Sequence, residues 1–368
     1  MTVRALFKTP SGFRDQIKKW TLDLLPEVDL ELVDHELGFT STIEESVLFY
    51  ILDHGPWFED VMVAVLWKAN VPHREYVVKE LKKSKIFFKS YRPKSLGLAV
   101  RIKHDSIHTV RRVREAFSQV FSDIVVHGQD QPSEIEALIT IEKRKLTFWL
   151  SLSGTGMFKR GQREVAGFLA PMREDLAATL ISMNLPNASF YLWLPFAGSG
   201  TYFFEVMGLA AGFNHPNFNQ FVGVTSGLFQ VPSRKEIPLH GSLQHAFIED
   251  IHSESASKIS DDVRALKLEH IADVHVADFF KTEDSRFSDK DVYLPINPPW
   301  GLRLGKSVNP EFFLKIGQKI SKMKFRSLSG FVLCPDERAS KAFLKGFLGK
   351  TTIQHFTQGG KHIRAVYF

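Results

Sequence analysis

The stretch "FYLWLPFAGSGT", residues 190–201, decides the fold that we predict for this chain. Its first five residues are apolar, as in a strand of a parallel sheet that is covered on both faces. A proline and two glycines follow, and a helical pattern begins at residue 201. Glycine tolerates positive φ and lets the backbone approach a ligand closely. The stretch therefore predicts a strand, a ligand-binding turn and a helix, although it matches neither a P-loop nor a G-x-G-x-x-G turn.

Strands and helices alternate from Pro171 onward. The helix predicted at 171–183 begins with proline, which is favoured in a first helical turn. Gly359 and Gly360 separate the last two strands as the turn of a hairpin, so the last strand should be antiparallel. The other strands should form a mostly parallel sheet covered by helices on both faces. Beyond the strand at 190–194, strands are predicted at 246–250, 273–277, 291–296, 328–333, 351–356 and 362–368, and helices at 201–211, 253–268, 310–323 and 336–348.

Polar residues end four successive strands of this predicted sheet. Open parallel sheets bind ligands at the carboxyl ends of their strands. After the glycine turn, the next strand ends in Glu249 and Asp250, where a carboxylate suits the hydroxyls of a ribose, and the third is followed by Asp278, which suits an adenine amino group. The fourth runs into "NPPW", residues 297–300, whose prolines have no amide hydrogen and leave carbonyl oxygens without partners. Four such strand ends in order predict a nucleotide-like ligand.

Length and composition limit the class of protein. The chain has 368 residues, so we expect two or three domains. A single cysteine, Cys334, excludes an internal disulfide and fits a reducing compartment. No apolar run reaches the roughly 18 residues of a membrane span, and no leader pattern opens the sequence. We therefore expect a cytoplasmic monomer that has no membrane partner.

The basic residues are concentrated in one block. Residues 74–114 contain 13 Lys/Arg and 3 Asp/Glu, whereas the rest of the chain has 34 basic and 38 acidic residues. Aromatic residues are interspersed at 82–94, so the block predicts a surface that binds RNA or DNA. The alternative is a solvated face of the helix predicted at 106–121. His104 and His108 have no third ligand, so no metal site is predicted. The candidate RNA-binding residues are Lys82, Lys83, Lys85, Lys89, Arg92, Arg111, Arg112 and, in the later "NPPWGLRLG" stretch, Arg303.

The chain resembles the THUMP-containing, S-adenosylmethionine-dependent RNA methyltransferases that act on the exocyclic N2 amine of guanine. "PFAGSGT" (195–201) matches their D-P-F-C-G-S-G-T, and "NPPWGLRLG" (297–305) matches their N-P-P-Y-G-x-R-L-G. "LSLSGTGMFKRGQR" (150–163) matches the L-D-L-S-G-x-x-L-x-x-R-G-Y-R that closes the THUMP region, and "GFNHPNFNQF" (212–221) is similar to an insert of the bacterial 23S rRNA branch. Alone, N-P-P-W would also allow an adenine or protein-glutamine methyltransferase.

The resemblance implies an α/β protein with four regions. Residues 1–60 would be an amino-terminal ferredoxin-like α+β region, and 61–153 a THUMP-like RNA-binding domain. A linker would occupy 154–170, in keeping with the glycines and charges of 153–167. Residues 171–368 would be a Rossmann-like methyltransferase domain with a seven-stranded sheet whose last strand is antiparallel.

The resemblance also implies a cofactor and a substrate site. S-adenosylmethionine should bind over the glycine turn, with its ribose on Asp250, which is preferred to Glu249 because it precedes Asp278 by 28 residues. A Val at Gly200 should block the cofactor without unfolding the domain. The Asn297 and Pro298 oxygens should accept hydrogen bonds from the guanine amine, and Trp300 should stack on the extruded base. The cofactor-binding candidates are Pro195, Ala197, Gly198, Ser199, Gly200, Thr201, Asp250, Asp278 and Asn297, and the catalytic candidates are Asn297, Pro298, Pro299 and Trp300.

Three departures from the family pattern keep alternatives open. The acid that precedes P-F in the family is Leu194 here, its cysteine is Ala197, and the aspartate of L-D-L-S-G is Ser151. In such enzymes that first acid helps to hold the amino group of the cofactor's methionine, which leucine cannot do. The leading hypothesis is an active enzyme on ribosomal RNA. Transfer RNA as substrate, and a non-catalytic RNA-binding or assembly protein on the same scaffold, remain the alternatives.

Overall fold

The computed structural model of the chain describes residues 1–88, 93–128, 133–154, 156–158, 160, 172–227, 229–231, 242–300 and 309–368. The chain divides into two compact units. Unit 1 comprises Met1–Thr9, Arg14–Gly161 and His215–Lys235, and unit 2 comprises Pro10–Phe13, Gln162–Asn214 and Glu236–Phe368. The chain is a mixed α/β protein, as its sequence predicts, and each unit has its own β-sheet.

The strands are β1 (Thr2–Lys8), β2 (Val33–His35), β3 (Gly38–Glu44), β4 (Asp60–Asn70), β5 (Ser95–Lys103), β6 (Val125–His127), β7 (Ile135–Glu142), β8 (Lys145–Ser151), β9 (Phe190–Leu194), β10 (Leu243–Asp250), β11 (Ala272–Val276), β12 (Asp291–Ile296), β13 (Ser327–Cys334), β14 (Thr352–Gln358) and β15 (Lys361–Tyr367). The helices are α1 (Arg14–Asp23), α2 (Glu45–His54), α3 (Arg74–Ser84), α4 (Val110–Val120), α5 (Glu174–Ser182), α6 (Thr201–Ala210), α7 (Val222–Thr225), α8 (Ser253–Ala265), α9 (Pro310–Lys322) and α10 (Glu337–Gly346). Among the helices in these ranges, none combines the length and the apolar character needed to cross a membrane.

Unit 1 is built on an eight-stranded sheet with the order β2-β3-β1-β4-β8-β7-β5-β6. Its larger core lies on one face, where Val77 and Leu81 of α3 and Val113 and Phe117 of α4 pack against alternate strand residues. One sheet thus holds strands from both regions, 1–60 and 61–153, that the sequence analysis treats separately.

Local backbone signals set where two elements of unit 1 begin or end. Helix α4 begins at Val110, four residues later than predicted, because the Thr109 hydroxyl caps it and accepts a hydrogen bond of 3.3 Å from the Arg112 amide. Lys143 and Arg144 both adopt positive φ, and they end β7 and form the turn of its hairpin with β8.

The segment after α6 belongs to unit 1, although its sequence neighbours on both sides belong to unit 2. The fully buried His215 starts this segment, and its amide donates a hydrogen bond of 2.7 Å to the Asp53 carbonyl. Its Nε2 lies 2.8 Å from the Met157 carbonyl oxygen. Further along, the Gly223 amide donates a hydrogen bond of 2.8 Å to the Leu152 carbonyl. Backbone hydrogen bonds therefore hold the segment on unit 1.

Unit 2 is built on a seven-stranded sheet with the order β11-β10-β9-β12-β13-β15-β14. Strands β11, β10, β9, β12 and β13 are parallel, and β15 is antiparallel to both of its neighbours. After β11 the chain returns to the middle of the sheet, where β12 lies beside β9. The order of the strands reverses there, and such a reversal opens a crevice at the carboxyl ends of the strands.

Candidate functional site

The carboxyl ends of four neighbouring strands bring the predicted polar residues to one edge of the sheet of unit 2. The glycine turn follows β9, Asp250 ends β10, Asp278 follows β11, and residues 297–300 follow β12. Because these strands are parallel and adjacent in the order β11-β10-β9-β12, their ends lie side by side. Neighbouring strands are about 4.8 Å apart, so the four ends span the width of one nucleotide-sized ligand.

The glycine turn between β9 and α6 is closed by its own backbone and tied to β10. The Gly200 amide donates a hydrogen bond of 2.8 Å to the Ala197 carbonyl, and the Ala197 amide donates one of 3.0 Å to the Glu249 carbonyl. The Ser199 and Thr201 hydroxyls lie 2.9 Å apart, and Pro195 is buried beneath the turn. The turn thus presents its backbone on the sheet edge.

The two glycines of the turn face different surroundings. Gly198 has a φ of +54°, and a Cβ on it would meet no atom within 4 Å, so open space lies above it. Gly200 has a φ of +74°, and a Cβ there would lie 3.2 Å from Cγ1 of Ile259 and 3.3 Å from Cε2 of Phe204. A side chain at Gly200 would press against Ile259 and Phe204 in the packing between α6 and α8, so Gly200→Val would disturb this packing as well, and its predicted effect on the cofactor stays a prediction.

The two acids at the end of β10 have separate environments. Oδ2 of Asp250 accepts a hydrogen bond of 2.8 Å from the Gly198 amide, and Oδ1 accepts one of 2.9 Å from the His252 amide. Asp250 therefore borders the glycine turn. Successive side chains of a strand point to opposite faces of the sheet, and the Glu249 side chain, 1% exposed, faces the core.

Glu249 is fully engaged inside unit 2. Its Oε2 accepts hydrogen bonds from Trp193 Nε1 at 3.0 Å and from the Thr282 hydroxyl at 3.2 Å. Its Oε1 forms an ion pair with Arg286. A buried carboxylate needs such partners because ionisation without them is costly. Glu249 therefore has neither the exposure nor the free oxygen that a ribose ligand requires.

Asp278 and the aromatic residues after it form the next part of the site. Asp278 Oδ1 accepts a hydrogen bond of 3.0 Å from the Phe280 amide and caps a 3₁₀ turn. Phe280 is 37% exposed, and its ring centroid lies 5.7 Å from that of Phe312. Phe279 contacts Phe196 of the glycine turn at 5.2 Å. None of the site residues predicted from the sequence belongs to this aromatic group, although Phe279 and Phe280 directly follow the predicted Asp278.

The "NPPW" corner follows β12 as predicted. Pro298 is buried and Pro299 is exposed, while Asn297 and Trp300 are partly exposed. Within the part of the chain that the structure describes, the Asn297 side chain makes no hydrogen bond. Trp300 packs against the core of unit 2, and its buried Nε1 likewise has no partner among the described residues. The Asn297 side chain, which is partly exposed and has no partner in the described chain, is therefore available to a ligand, whereas the buried Trp300 Nε1 is not.

Leu194 and Ser151 are two positions that depart from the family pattern. Leu194 is buried, and Ser151 is hydrogen-bonded within unit 1. Leu194, at the end of β9, is completely buried and offers no acceptor to a ligand. Ser151 of unit 1 donates a hydrogen bond of 2.9 Å to Oδ1 of the buried Asp60, which also accepts one of 2.8 Å from Ser153. Burial raises the pKa of Asp60 to about 6, although Lys8 and these hydroxyls oppose the shift.

The predicted RNA-binding residues that the structure describes lie on unit 1. Lys82, Lys83 and Lys85 are exposed on α3 and just after it, and Arg111 and Arg112 are exposed on the neighbouring α4. Acidic residues on the same helices offset part of this charge: Glu80 pairs with Lys83 at 2.7 Å, and Glu115 pairs with Arg111 at 2.9 Å. Lys89, Arg92, Arg303 and residues 155, 159 and 161–170 of the predicted linker (154–170) lie outside the described residues. Among the described His, Cys, Asp and Glu side chains, no three converge as metal ligands.

The chain is similar to known methyltransferases. A "Ribosomal RNA large subunit methyltransferase K/L" from Hydrogenovibrio crunogenus is 25% identical over 312 residues, which cover 74% of this chain and 40% of that protein. The chain therefore spans less than half the length of this curated relative. No protein-family model matches the chain.

Solved structures share the fold along nearly the whole chain. A candidate methylase from Clostridium difficile 630 superposes with a TM-score of 0.72 at 19% identity and covers 100% of this chain and 98% of its own. A candidate methyltransferase solved in complex with SAH superposes with a TM-score of 0.71 at 15% identity, and the match covers 100% of this chain and 98% of that protein. At these identities the likeness shows the fold alone.

Proposed function

We propose that this chain is an S-adenosylmethionine-dependent RNA methyltransferase that modifies the exocyclic N2 amine of a guanosine in large-subunit (23S) ribosomal RNA. The observation that carries the proposal is the convergence of the glycine turn, Asp250, Asp278 and Asn297 on one edge of the unit 2 sheet, at its reversal of strand order. The ribosomal RNA methyltransferase named above supports the substrate class. The seven-stranded sheet with antiparallel β15 supports a Rossmann-like methyltransferase domain.

The residues at the sheet edge fit S-adenosylmethionine, which when bound supplies an electrophilic methyl group. Open space above Gly198 suits a ligand that lies against the backbone of the turn. Asp250 borders that turn, and among the described residues each of its carboxylate oxygens accepts only one hydrogen bond, from a backbone amide, so each retains a lone pair for a ribose hydroxyl. Pro195, Ala197, Ser199, Gly200 and Thr201 shape the same turn. The SAH bound to a solved protein of this fold supports the assignment.

The adenine end would lie beside Asp278. Its side chain is 29% exposed, so an oxygen remains accessible to the adenine amino group while Oδ1 caps the following turn. Phe280 offers an exposed aromatic edge next to that acceptor. A planar base between an aromatic ring and a carboxylate gains stacking and one directed hydrogen bond.

Asn297 and Pro298 would act on the guanine amine. That nitrogen is a poor nucleophile because its lone pair is delocalised into the ring. Two oxygen acceptors that hold its hydrogens would orient the nitrogen and stabilise the positive charge that develops as the N–CH3 bond forms and the S–CH3 bond breaks, with S-adenosylhomocysteine as the leaving group. One proton of the amine would then be lost to solvent. The Asn297 amide makes no hydrogen bond within the described chain and is therefore free to accept one. Pro299 stiffens the corner, and Trp300 offers a ring on which the extruded base can stack.

RNA affinity would come mainly from unit 1. The exposed lysines around the end of α3 and the arginines of α4 share one surface, and phosphate contacts by such residues release counterions. In this proposal the 61–153 region is the THUMP-like RNA-binding domain, residues 1–60 are the ferredoxin-like region, and the protein acts as a cytoplasmic monomer.

The deciding experiment incubates the full chain with S-adenosylmethionine and unmodified large-subunit ribosomal RNA, followed by nucleoside mass spectrometry. We expect N2-methylguanosine with the wild type and its loss with Asn297→Ala. Transfer RNA in a parallel reaction tests the alternative substrate. Methylation of an adenine or of a protein glutamine in place of guanosine would contradict the proposal.

A second candidate function is a non-catalytic RNA-binding or assembly protein. The observation that favours it is the buried Leu194, which cannot take over the hydrogen bond of the acid that the family has there. Calorimetric titration with S-adenosylmethionine separates the two. The enzyme should bind the cofactor, whereas RNA binding without cofactor binding would identify the second function.

A further inference from the structure

We infer that Glu249 is a positioning residue that holds the loop carrying Asp278 in place for the adenine of the cofactor. The inference rests on the proposed function for the identity of the ligand, but the anchoring of the loop is read from this chain alone. Asp278 belongs to the loop 277–290, which links β11 to β12. Within the described residues, the Asp278 side chain is held in the loop only by its own 3₁₀ turn and by a loose ion pair of 3.8 Å with Lys281.

Thr282 connects the buried carboxylate to this loop. Its hydroxyl has a single proton, which it donates to Oε2 of Glu249 at 3.2 Å, while the same hydroxyl oxygen lies 3.3 Å from the backbone carbonyl of Asp278. The amides of Lys281 and Thr282 also donate to that carbonyl, at 2.8 and 3.1 Å. Thr282 thus joins Glu249, at the end of β10, to the backbone of Asp278, the predicted adenine acceptor.

Arg286 forms the second connection, four residues after Thr282 in the same loop. Its guanidinium pairs with Oε1 of Glu249 and lies 5.2 Å from the ring centroid of Phe247 and 5.0 Å from that of Phe287. The planes of these two rings lie at 89° to each other, so cation–π contact with both restricts the position of the guanidinium. Glu249 therefore binds the loop at two points, Thr282 and Arg286.

Trp193 fixes the third side of the carboxylate. Its indole nitrogen donates to Oε2 of Glu249, and the ring is completely buried between Phe279 and Phe287. Glu249 consequently cannot turn toward solvent without leaving a buried indole and a buried guanidinium unpaired, which is costly. Because Glu249 is held in one position, its bonds to Thr282 and Arg286 fix the loop that carries Asp278 relative to β10. Asp250, the next residue of β10, borders the other end of the same proposed ligand.

The test compares Thr282→Val with the wild type and with Thr282→Ser. Valine keeps the shape of threonine but removes the hydroxyl that joins Glu249 to Asp278, and serine restores it. Ser327→Ala is a matched control, because the Ser327 hydroxyl donates at 2.7 Å to the Arg326-paired Asp291 at the opposite end of the same sheet. Glu249→Gln is the direct variant, but Thr282→Val leaves the pairing of Glu249 with Trp193 and Arg286 intact and is therefore the safer one for folding.

Two readouts are measured on the full chain. The first is amide hydrogen exchange of Phe280, Lys281 and Thr282 without ligand, which should accelerate by about tenfold in Thr282→Val and remain unchanged in Thr282→Ser and Ser327→Ala. The second is calorimetric affinity for S-adenosylhomocysteine and for its inosine analogue, which has a carbonyl in place of the adenine amino group. In Thr282→Val, the affinity for S-adenosylhomocysteine relative to that for the inosine analogue should fall about fivefold, while the affinity for the analogue itself is retained.

The outcomes separate this inference from the proposed function. Unchanged exchange in Thr282→Val, or an equal loss of affinity for both ligands, would overturn the positioning role. If the wild type binds neither ligand while exchange still accelerates, the cofactor assignment falls and the anchoring of the loop by Glu249 is supported.

Discussion

The backbone amide of Gly198 donates a hydrogen bond of 2.8 Å to Oδ2 of Asp250, which joins the ends of two neighbouring strands. The same carboxylate accepts a second hydrogen bond from the His252 amide at 2.9 Å. Two backbone donors hold the carboxylate in one orientation before any ligand arrives, and such preorganisation lowers the entropy cost of binding. The glycine turn and the acid are therefore one structural unit, and changes at either should affect the same ligand.

Filling the open space above Gly198 should weaken cofactor binding. Asparagine tolerates the left-handed conformation better than other residues with a side chain, so Gly198→Asn adds bulk with little backbone strain. We expect the affinity for S-adenosylmethionine to fall by about tenfold or more, because the ligand and the new side chain compete for one volume. Calorimetric titration measures it. Gly359→Asn is the matched control, since Gly359 has a φ of +55° and equally open space in the β14–β15 hairpin. Similar affinity in the two variants would contradict the assignment of the turn.

Removing the Asn297 amide should impair transfer without impairing cofactor binding. Asn297→Ala deletes an acceptor that orients the substrate amine, and the loss of such an oriented group costs about 100-fold or more in turnover. Single-turnover methylation of the RNA measures the effect, and calorimetry with S-adenosylmethionine should give an affinity within about twofold of the wild type. Asn297→Asp keeps an oxygen acceptor and should retain more activity than the alanine variant. Near-normal turnover in Asn297→Ala would show that the acceptor lies elsewhere.

Removing basic residues near the end of α3 should weaken RNA binding and reduce its dependence on salt. Lys82, Lys83 and Lys85 are exposed on unit 1, and each lost phosphate contact should make the slope of log affinity against log salt shallower by about 0.7–0.9 units. Titration of the triple alanine variant at two salt concentrations measures both effects.

The control for this prediction changes the same number of charges elsewhere. Lys341, Lys345 and Lys350 are exposed on and just after α10 in unit 2, outside the basic block. The triple alanine variant at these positions should bind RNA with nearly the slope of the wild type. Equal effects of the two triple variants would show that only net charge matters and that the block 74–114 has no special role.

The buried Asp60 should make the stability of unit 1 fall as the pH rises. Its pKa is raised by burial from 3.8 to about 6, so the folded state binds this proton more tightly than the unfolded state does. The resulting stabilisation is complete below about pH 4 and is lost as the pH rises to about 6, by about 3 kcal/mol in total. Asp60→Asn removes this titration. Urea unfolding of both proteins from pH 4 to pH 7 should show that the wild type loses free energy of unfolding relative to the variant. If the difference in free energy of unfolding between the two proteins stays constant over this range, the raised pKa is contradicted.

Much of unit 2 was predictable because its signals are local. The apolar run 190–194 before two glycines indicates a strand and a turn, since backbone conformation there depends on residues close in sequence. Gly359 and Gly360 indicate a hairpin for the same reason, and the structure has one between β14 and β15. The paired prolines after β12 end their strand wherever they occur, because they have no amide hydrogen.

Only the tertiary structure decided how these signals combine. Glu249 and Asp250 are equally acidic neighbours in the sequence, yet one is locked against Trp193 and Arg286, 56 and 37 residues away, while the other borders the glycine turn. Gly200 serves helix packing and Gly198 faces open space, although both belong to one motif. The partners of a buried polar group come from elements distant in the chain, and no periodicity of the sequence encodes them. The sequence by itself determined which local structures form and which chemistry they carry, and the packing of the sheet decided which of these residues a ligand can reach.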